Sequence, residues 1–113
     1  DSDYLSVHLK LTEETVNFIR LKELQKMKKS AFIVNTARGP IVNENDLIYS
    51  LENKIISGAG LDVFEIEPLP KEHKLVHLDN VILSPHLGYA TVTNIREYME
   101  ISKINIISWL NNQ

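Results

Sequence analysis

Four side chains in this sequence have types and spacing suited to moving a proton beside a held anion: Arg38, Asp62, Glu67 and His86. Arginine presents a planar fork of donors that matches a carboxylate, so Arg38 could anchor an acid and polarise a neighbouring carbonyl. Histidine titrates nearest neutral pH, so His86 could give a proton to a developing alkoxide or take one from a hydroxyl. A carboxylate such as Glu67 beside that ring would orient it and favour the imidazolium. The set lacks a nucleophile or redox group: there is no cysteine, and no serine stands in a nucleophile-elbow pattern. Any bond-changing chemistry beyond proton transfer must come from a cofactor or from the substrate itself.

All four lie just after apolar runs that read as strands. Tyr4 to Leu9 alternates and is rich in β-formers, placing His8 near a strand end. Thr12 is a plausible cap for a helical turn beginning at Glu13, and Leu21, Leu24 and Met27 suit a short helix closed by Lys28-Lys29-Ser30. Ala31 to Val34 is a buried-strand run that ends in Asn35-Thr36-Ala37-Arg38-Gly39-Pro40. Asn43 caps a second helix with the apolar stripe Ile48, Leu51 and Ile55, and Ser57 to Phe64 is a third strand thinned by glycine where something packs closely. Residues 65 to 80 read as a long loop, Val81 to Ser84 as a fourth strand stopped by Pro85, and Thr91 or Thr93 as the cap of a helix reaching Leu110 or beyond.

The order β-α-β-α-β-loop-β-α predicts an α/β fold, a partial doubly wound, Rossmann-type parallel sheet with right-handed crossovers, flanking helices and a long C-terminal helix. Ligands of such sheets bind at the carboxyl ends of the strands, where the four polar residues fall. Ile101, Ile104, Ile106, Ile107, Trp109 and Leu110 cover more than one stripe of the last helix, which therefore needs cover on several sides. The chain of 113 residues is at most one domain, begins almost directly on a strand and reads as a piece of something larger.

Composition narrows the partners. With 43% hydrophobic and 24% charged residues and a net charge of −3, the chain is an ordinary globular sequence with no charge signal for nucleic acid or an anionic membrane. It has no apolar run of the roughly 18 residues a membrane span needs, and Asp1-Ser2-Asp3 lacks the features of a signal peptide. Absence of cysteine excludes disulfides and thiolate zinc sites and permits a cytoplasmic setting.

Asn35-Thr36-Ala37-Arg38-Gly39-Pro40, Gly60-Leu61-Asp62-Val63-Phe64-Glu65-Ile66-Glu67-Pro68 and Ser84-Pro85-His86-Leu87-Gly88 resemble the signature blocks of the D-isomer-specific 2-hydroxyacid dehydrogenases, and Val7 to Thr12 is similar to a further block. The resemblance covers nearly the whole chain. It implies the C-terminal part of an NAD-binding domain over residues 1–113, with about 91–113 forming the helix that leads back toward a substrate domain. It implies Arg38 as the group that binds the substrate carboxylate and keto oxygen, His86 as general acid/base and Glu67 as its partner. Asp62 would contact the nicotinamide carboxamide, and Thr36, Ala37, His8 and Gly88 would line the cofactor. The cofactor implied is NAD, with NADP left open, the substrate a small 2-keto or 2-hydroxy acid, and the assembly a homodimer.

Three departures stand beside the resemblance. No G-x-G-x-x-G phosphate-binding turn occurs in these residues, the sequence has Gly88-Tyr89-Ala90-Thr91 where most members carry G-G-A-T, and Lys10 stands where proline is usual. A surface reading accompanies each remaining candidate. Glu65 reads as exposed, His73 and His77 as residues of a polar surface loop without a third metal ligand, and Trp109 with its isoleucines as core or interface. The leading expectation is hydride transfer between NAD(H) and C2 of a D-2-hydroxy or 2-keto acid, as part of a larger enzyme. The alternative is an inactive fragment or self-associating module that lacks the pyrophosphate-binding half.

Overall fold

The structure, a computed structural model, describes residues 2–112. Four strands, β1 (Tyr4–Val7), β2 (Phe32–Asn35), β3 (Gly58–Leu61) and β4 (Val81–Leu83), form one parallel sheet in the order β1-β2-β3-β4. Register explains which side chains are buried. Leu5, Ile33, Ala59 and Val81 are partners in one row, and Val7, Asn35, Leu61 and Leu83 in the row nearest the carboxyl edge. Both rows point to the same face, where Ile33 is fully buried and Val7, Ala59 and Leu61 nearly so.

That face is covered by α1 (Leu21–Leu24) and α2 (Glu44–Glu52), together with Ile19, Ile41, Val42, Ile56 and Leu75. The helix expected over Leu21 to Met27 is only one turn. Four residues are far below the roughly 12–15 a free helix needs, so α1 persists through the burial of Leu24, worth about 1.5–3 kcal/mol. Asp46 of α2 adds an anchor by accepting the Leu21 N–H at 2.9 Å. The Thr12 segment makes the single helical turn expected, with Thr15 N and Val16 N both donating to Thr12 O at 3.1 and 3.0 Å. The side-chain bonds differ from the expected Thr12 cap, since Thr15 Oγ1 donates to Lys10 O at 2.7 Å and accepts from Thr12 N at 2.7 Å. Asn43 caps α2 through the Asp46 N–H at 3.0 Å, as its sequence position predicts.

The strands are shorter than the apolar runs suggested. β1 stops at Val7 and leaves His8 outside, and β3 and β4 stop at Leu61 and Leu83, because the next residues turn away to build the site. Residues 65–80 are not structureless, since Lys74–His77 form a 3-10 turn around the buried Leu75. The opposite face of the sheet carries Tyr4, Phe32 and Ile82, all exposed, with Tyr4 and Phe32 stacked at 5.9 Å. Gly58 is required there: a Cβ would sit 2.8 Å from the Phe32 ring and 2.6 Å from Asn80 O.

The long helix α3 (Val92–Asn111) starts at Thr91, whose hydroxyl accepts the Asn94 N–H at 3.1 Å. None of its residues is buried, so Trp109 and the isoleucines are not core within this chain. The helix projects, which explains extents of 60 × 30 × 23 Å and a radius of gyration of 17.9 Å, against roughly 13 Å for a compact chain of similar size. No described helix is long and apolar enough to cross a membrane.

Candidate active site

The carboxyl-edge row of Val7, Asn35, Leu61 and Leu83 fixes where the site begins, because the chain leaves each strand immediately afterwards. After β2, the buried Asn35 staples its own turn: its Oδ1 accepts from Ala37 N at 3.1 Å and its Nδ2 donates to Arg38 O at 3.0 Å. Both polar ends are thus satisfied at a position only 1% exposed. Arg38 emerges exposed, with Nη1 donating to Ala37 O at 2.6 Å. Gly39 then passes so close to the chain after β3 that a Cβ would lie 2.0 Å from Phe64 C.

Beyond β3, Glu67 is held at two points. Its Oε1 accepts from Phe64 N at 2.9 Å, and its Oε2 accepts from His86 Nδ1 at 2.7 Å. The His86 hydrogen bond foremost, then the Phe64 amide, outweigh burial and hold the Glu67 carboxyl below its ordinary 4.5, with smaller help from the charges of His86 and Arg38. Arg38 is therefore within electrostatic reach of the pair without bonding to it. With Nδ1 directed at Glu67, Nε2 is the nitrogen left to meet a reacting oxygen. Glu67 and His86, each a little over a third exposed, border a cavity of about 520 Å³ walled by Phe64, Pro68, Leu69, Leu83 and Pro85. The Tyr89 ring stands edge-on to the imidazole at 6.4 Å.

His86 has φ 56°, a left-handed conformation uncommon outside glycine that has to be held by its surroundings. Asp62 supplies the hold. Its two oxygens accept from Leu87 N at 2.8 Å and from Gly88 N at 2.7 Å, so one buried carboxylate grips both amides that follow the histidine. Gly88 leaves room for this, since a Cβ there would lie 2.9 Å from Asp62 Oδ2 and 3.8 Å from Thr36 Cβ. Burial opposes the Asp62 charge. The Ser84 hydroxyl, the amides of Leu87 and Gly88 and the nearby His86 ring together prevail, and the carboxyl falls below its usual 3.8.

The structure thus brings Thr36, Asp62, Gly88, Glu67 and His86 to one edge with Arg38 beside them. His8 lies one residue past β1 at the same edge, but its ring bonds Ser6 Oγ at 2.8 Å and joins none of the hydrogen bonds linking the others. Sequence reasoning gave no role to Asn35, although an asparagine closing a buried strand before a turn is an Asx-turn signal, and none to Gly39. It also placed His73 on the surface. The ring is instead largely covered and bonds Glu44 Oε1 at 3.0 Å, because the buried Leu75 draws the loop inward. Among the described residues no three His, Asp or Glu side chains converge to hold a metal.

The Asp62 clamp carries a prediction. Asp62→Asn places an amide donor against a backbone N–H, leaving a buried mismatch expected to cost about 1–3 kcal/mol. The pH dependence follows from the sign of the shifts. A carboxyl whose folded pKa is depressed contributes stability that is complete above its unfolded pKa and is lost as pH falls through the folded value. Urea denaturation should therefore show wild type weakening below about pH 4, and its advantage over Asp62→Asn shrinking in the same window.

A parallel sheet with flanking helices and its polar turns gathered at the carboxyl edge defines an α/β domain of the Rossmann-type dehydrogenase class. Residues 1–88 match the family described as D-isomer specific 2-hydroxyacid dehydrogenase, NAD binding domain. The chain belongs to that family. It is 45% identical over 112 residues to the glyoxylate reductase of Thermofilum pendens, a match covering 99% of this chain and 33% of that protein. It superposes with TM-score 0.92 and 39% identity on a putative D-3-phosphoglycerate dehydrogenase oxidoreductase from Ralstonia solanacearum, covering 98% of this chain and 32% of that one. The NAD-complexed D-isomer specific 2-hydroxyacid dehydrogenase of Lactobacillus delbrueckii ssp. bulgaricus matches with TM-score 0.81 and 31% identity over 98% of this chain and 38% of that one. The chain thus spans about a third of the length of such relatives.

Proposed function

We propose that this chain is the acid–base-bearing part of an NAD(H)-dependent oxidoreductase that interconverts a small 2-keto acid and its D-2-hydroxy acid. The 2.7 Å bond between Glu67 and His86 carries the reading, because it prepares an imidazole to hold a proton while pointing its other nitrogen outward. A bound nicotinamide would supply the hydride to C2, and His86 Nε2 would deliver the proton to the oxygen that becomes the hydroxyl. Glu67 holds the ring through Nδ1 and keeps Nε2 turned outward for that transfer, and the Arg38 guanidinium receives the substrate carboxylate. Thr36, Ala37 and Gly88 line the cofactor side, with His8 at its margin. Asp62 holds the histidine loop, and its remaining lone pairs can accept from a carboxamide.

What supports the cofactor side is the close approach of Gly88 to Asp62 and Thr36, where a Cβ would lie 2.9 Å from Asp62 Oδ2, so that these three residues sit together at the carboxyl edge. Because these 113 residues contain no G-x-G-x-x-G turn, turnover is expected from a longer protein that carries one. NADH and NADPH oxidation with glyoxylate, hydroxypyruvate and pyruvate tests the reading. Activity with at least one of the three is expected, and none with any would sink it.

The exposed apolar side chains of α3 favour a second property, self-association into a homodimer in a cytoplasmic setting. Light scattering that returns a clean monomer at tens of micromolar would exclude it.

A further inference from the structure

A second histidine–carboxylate pair lies apart from Glu67–His86 and has no part in proton transfer. Glu44 opens α2 six residues after Arg38, and its Oε1 receives His73 Nε2 at 3.0 Å while its Oε2 faces Glu65 N at 3.5 Å. His73 Nδ1 accepts from Leu75 N at 3.3 Å, which assigns the ring proton to Nε2 and aims it at Glu44. Both partners are largely covered, with side chains 22% and 17% exposed, so the pair is shielded far better than an ordinary surface ion pair. Two neighbours, Phe64 and Leu75, are core residues, and Phe64 N is the donor that fixes Glu67 Oε1.

Glu44 therefore touches the loop at Glu65 and His73, on either side of the residue that orients the catalytic imidazole. Its own backbone is continuous with the turn that presents Arg38. We propose that Glu44 and His73 are positioning residues that lock the Glu67-bearing loop to the Arg38 side of the site, fixing the distance between carboxylate anchor and acid–base group. The proposal rests on the reading of Arg38, Glu67 and His86 given above. Loss of the lock lets the imidazole drift while the backbone turn that presents Arg38, held by Asn35, stays in place. Misplacement near 1 Å can cost about 10²-fold in rate, so the effect falls on kcat more than on KM.

Two measurements test this. In the 113-residue chain, His73→Leu and Glu44→Gln should accelerate amide hydrogen exchange at least tenfold at Phe64, Glu65 and Leu75 while leaving Ile33 and Leu51 unchanged. In a longer active protein carrying this domain, the same changes should lower kcat about tenfold or more with KM for the keto acid within twofold. His73→Gln, whose amide can still donate to Glu44, should restore most of the loss, and the Glu44–His73 double variant should be no worse than either single one. Uniform acceleration of all amides, or unchanged exchange at Phe64 and Glu65, overturns the proposal. So does accelerated exchange with unchanged kcat. Failure of the catalytic reading is recognised separately, by His86→Ala retaining turnover, and the exchange pattern then decides the lock by itself.

Discussion

His86→Ala, in a longer protein carrying this domain, is expected to lower kcat for keto-acid reduction roughly 10²–10⁴-fold, the usual contribution of one positioned acid–base group. The size of the effect follows from the hydrogen bonds. Glu67 spends one oxygen on the Phe64 amide and the other on His86 Nδ1, so the imidazole is the one group poised to pass a proton outward. Removing it leaves hydride transfer without a proton donor, while Arg38 and its turn, stapled by Asn35, remain intact. KM for the keto acid should consequently change little. Steady-state kinetics from pH 5 to 9 checks both parts, and a loss confined to KM would contradict the assigned role.

Gly39→Ala is expected to be the most destabilising single methyl in the chain. A Cβ there would lie 2.0 Å from Phe64 C and 2.1 Å from Phe64 O, backbone atoms that no rotamer change can move aside. Relief requires parting the Arg38 turn from the chain that holds Glu67, at a cost on the order of 3 kcal/mol, the upper range for overpacking. The melting temperature should fall by roughly 10 °C. Gly60→Ala is the matched control. Its Cβ would meet only Val34 methyls at 3.8 Å, an ordinary contact, so it should be neutral or slightly stabilising. Equal melting temperatures for the two variants would refute the close-approach argument.

The parallel sheet, the sequence of its elements and the Asn43 and Thr91 caps were legible because hydrophobic period and cap chemistry are local signals. The convergence of Arg38, Glu67 and His86 on one edge followed from topology, since parallel strands bring all their carboxyl ends to one side. What escaped were contacts between segments distant in sequence. Nothing local in Asp62 reveals that both its oxygens grip the amides after His86, and nothing in His73 reveals Glu44, 29 residues earlier. The one-turn α1 was overread as a longer helix because three apolar residues at helical spacing do not reveal how many turns the core can cover. Gly39 was invisible for a similar reason: a glycine's necessity lies in what it touches.

The row formed by Val7, Asn35, Leu61 and Leu83 also behaves as a datum line from which the working parts are dimensioned. Arg38 and His86 are each cantilevered three residues beyond it and Asp62 one, and each overhang is braced near its tip, by Asn35, by Asp62 or by Leu87 and Gly88. Short braced overhangs accumulate little positional error, whatever the rest of the chain does. Tolerance is therefore smallest between each strand and its first brace, and it is small again at His73 and Leu75, where the Glu44 bond and the core fix the intervening loop.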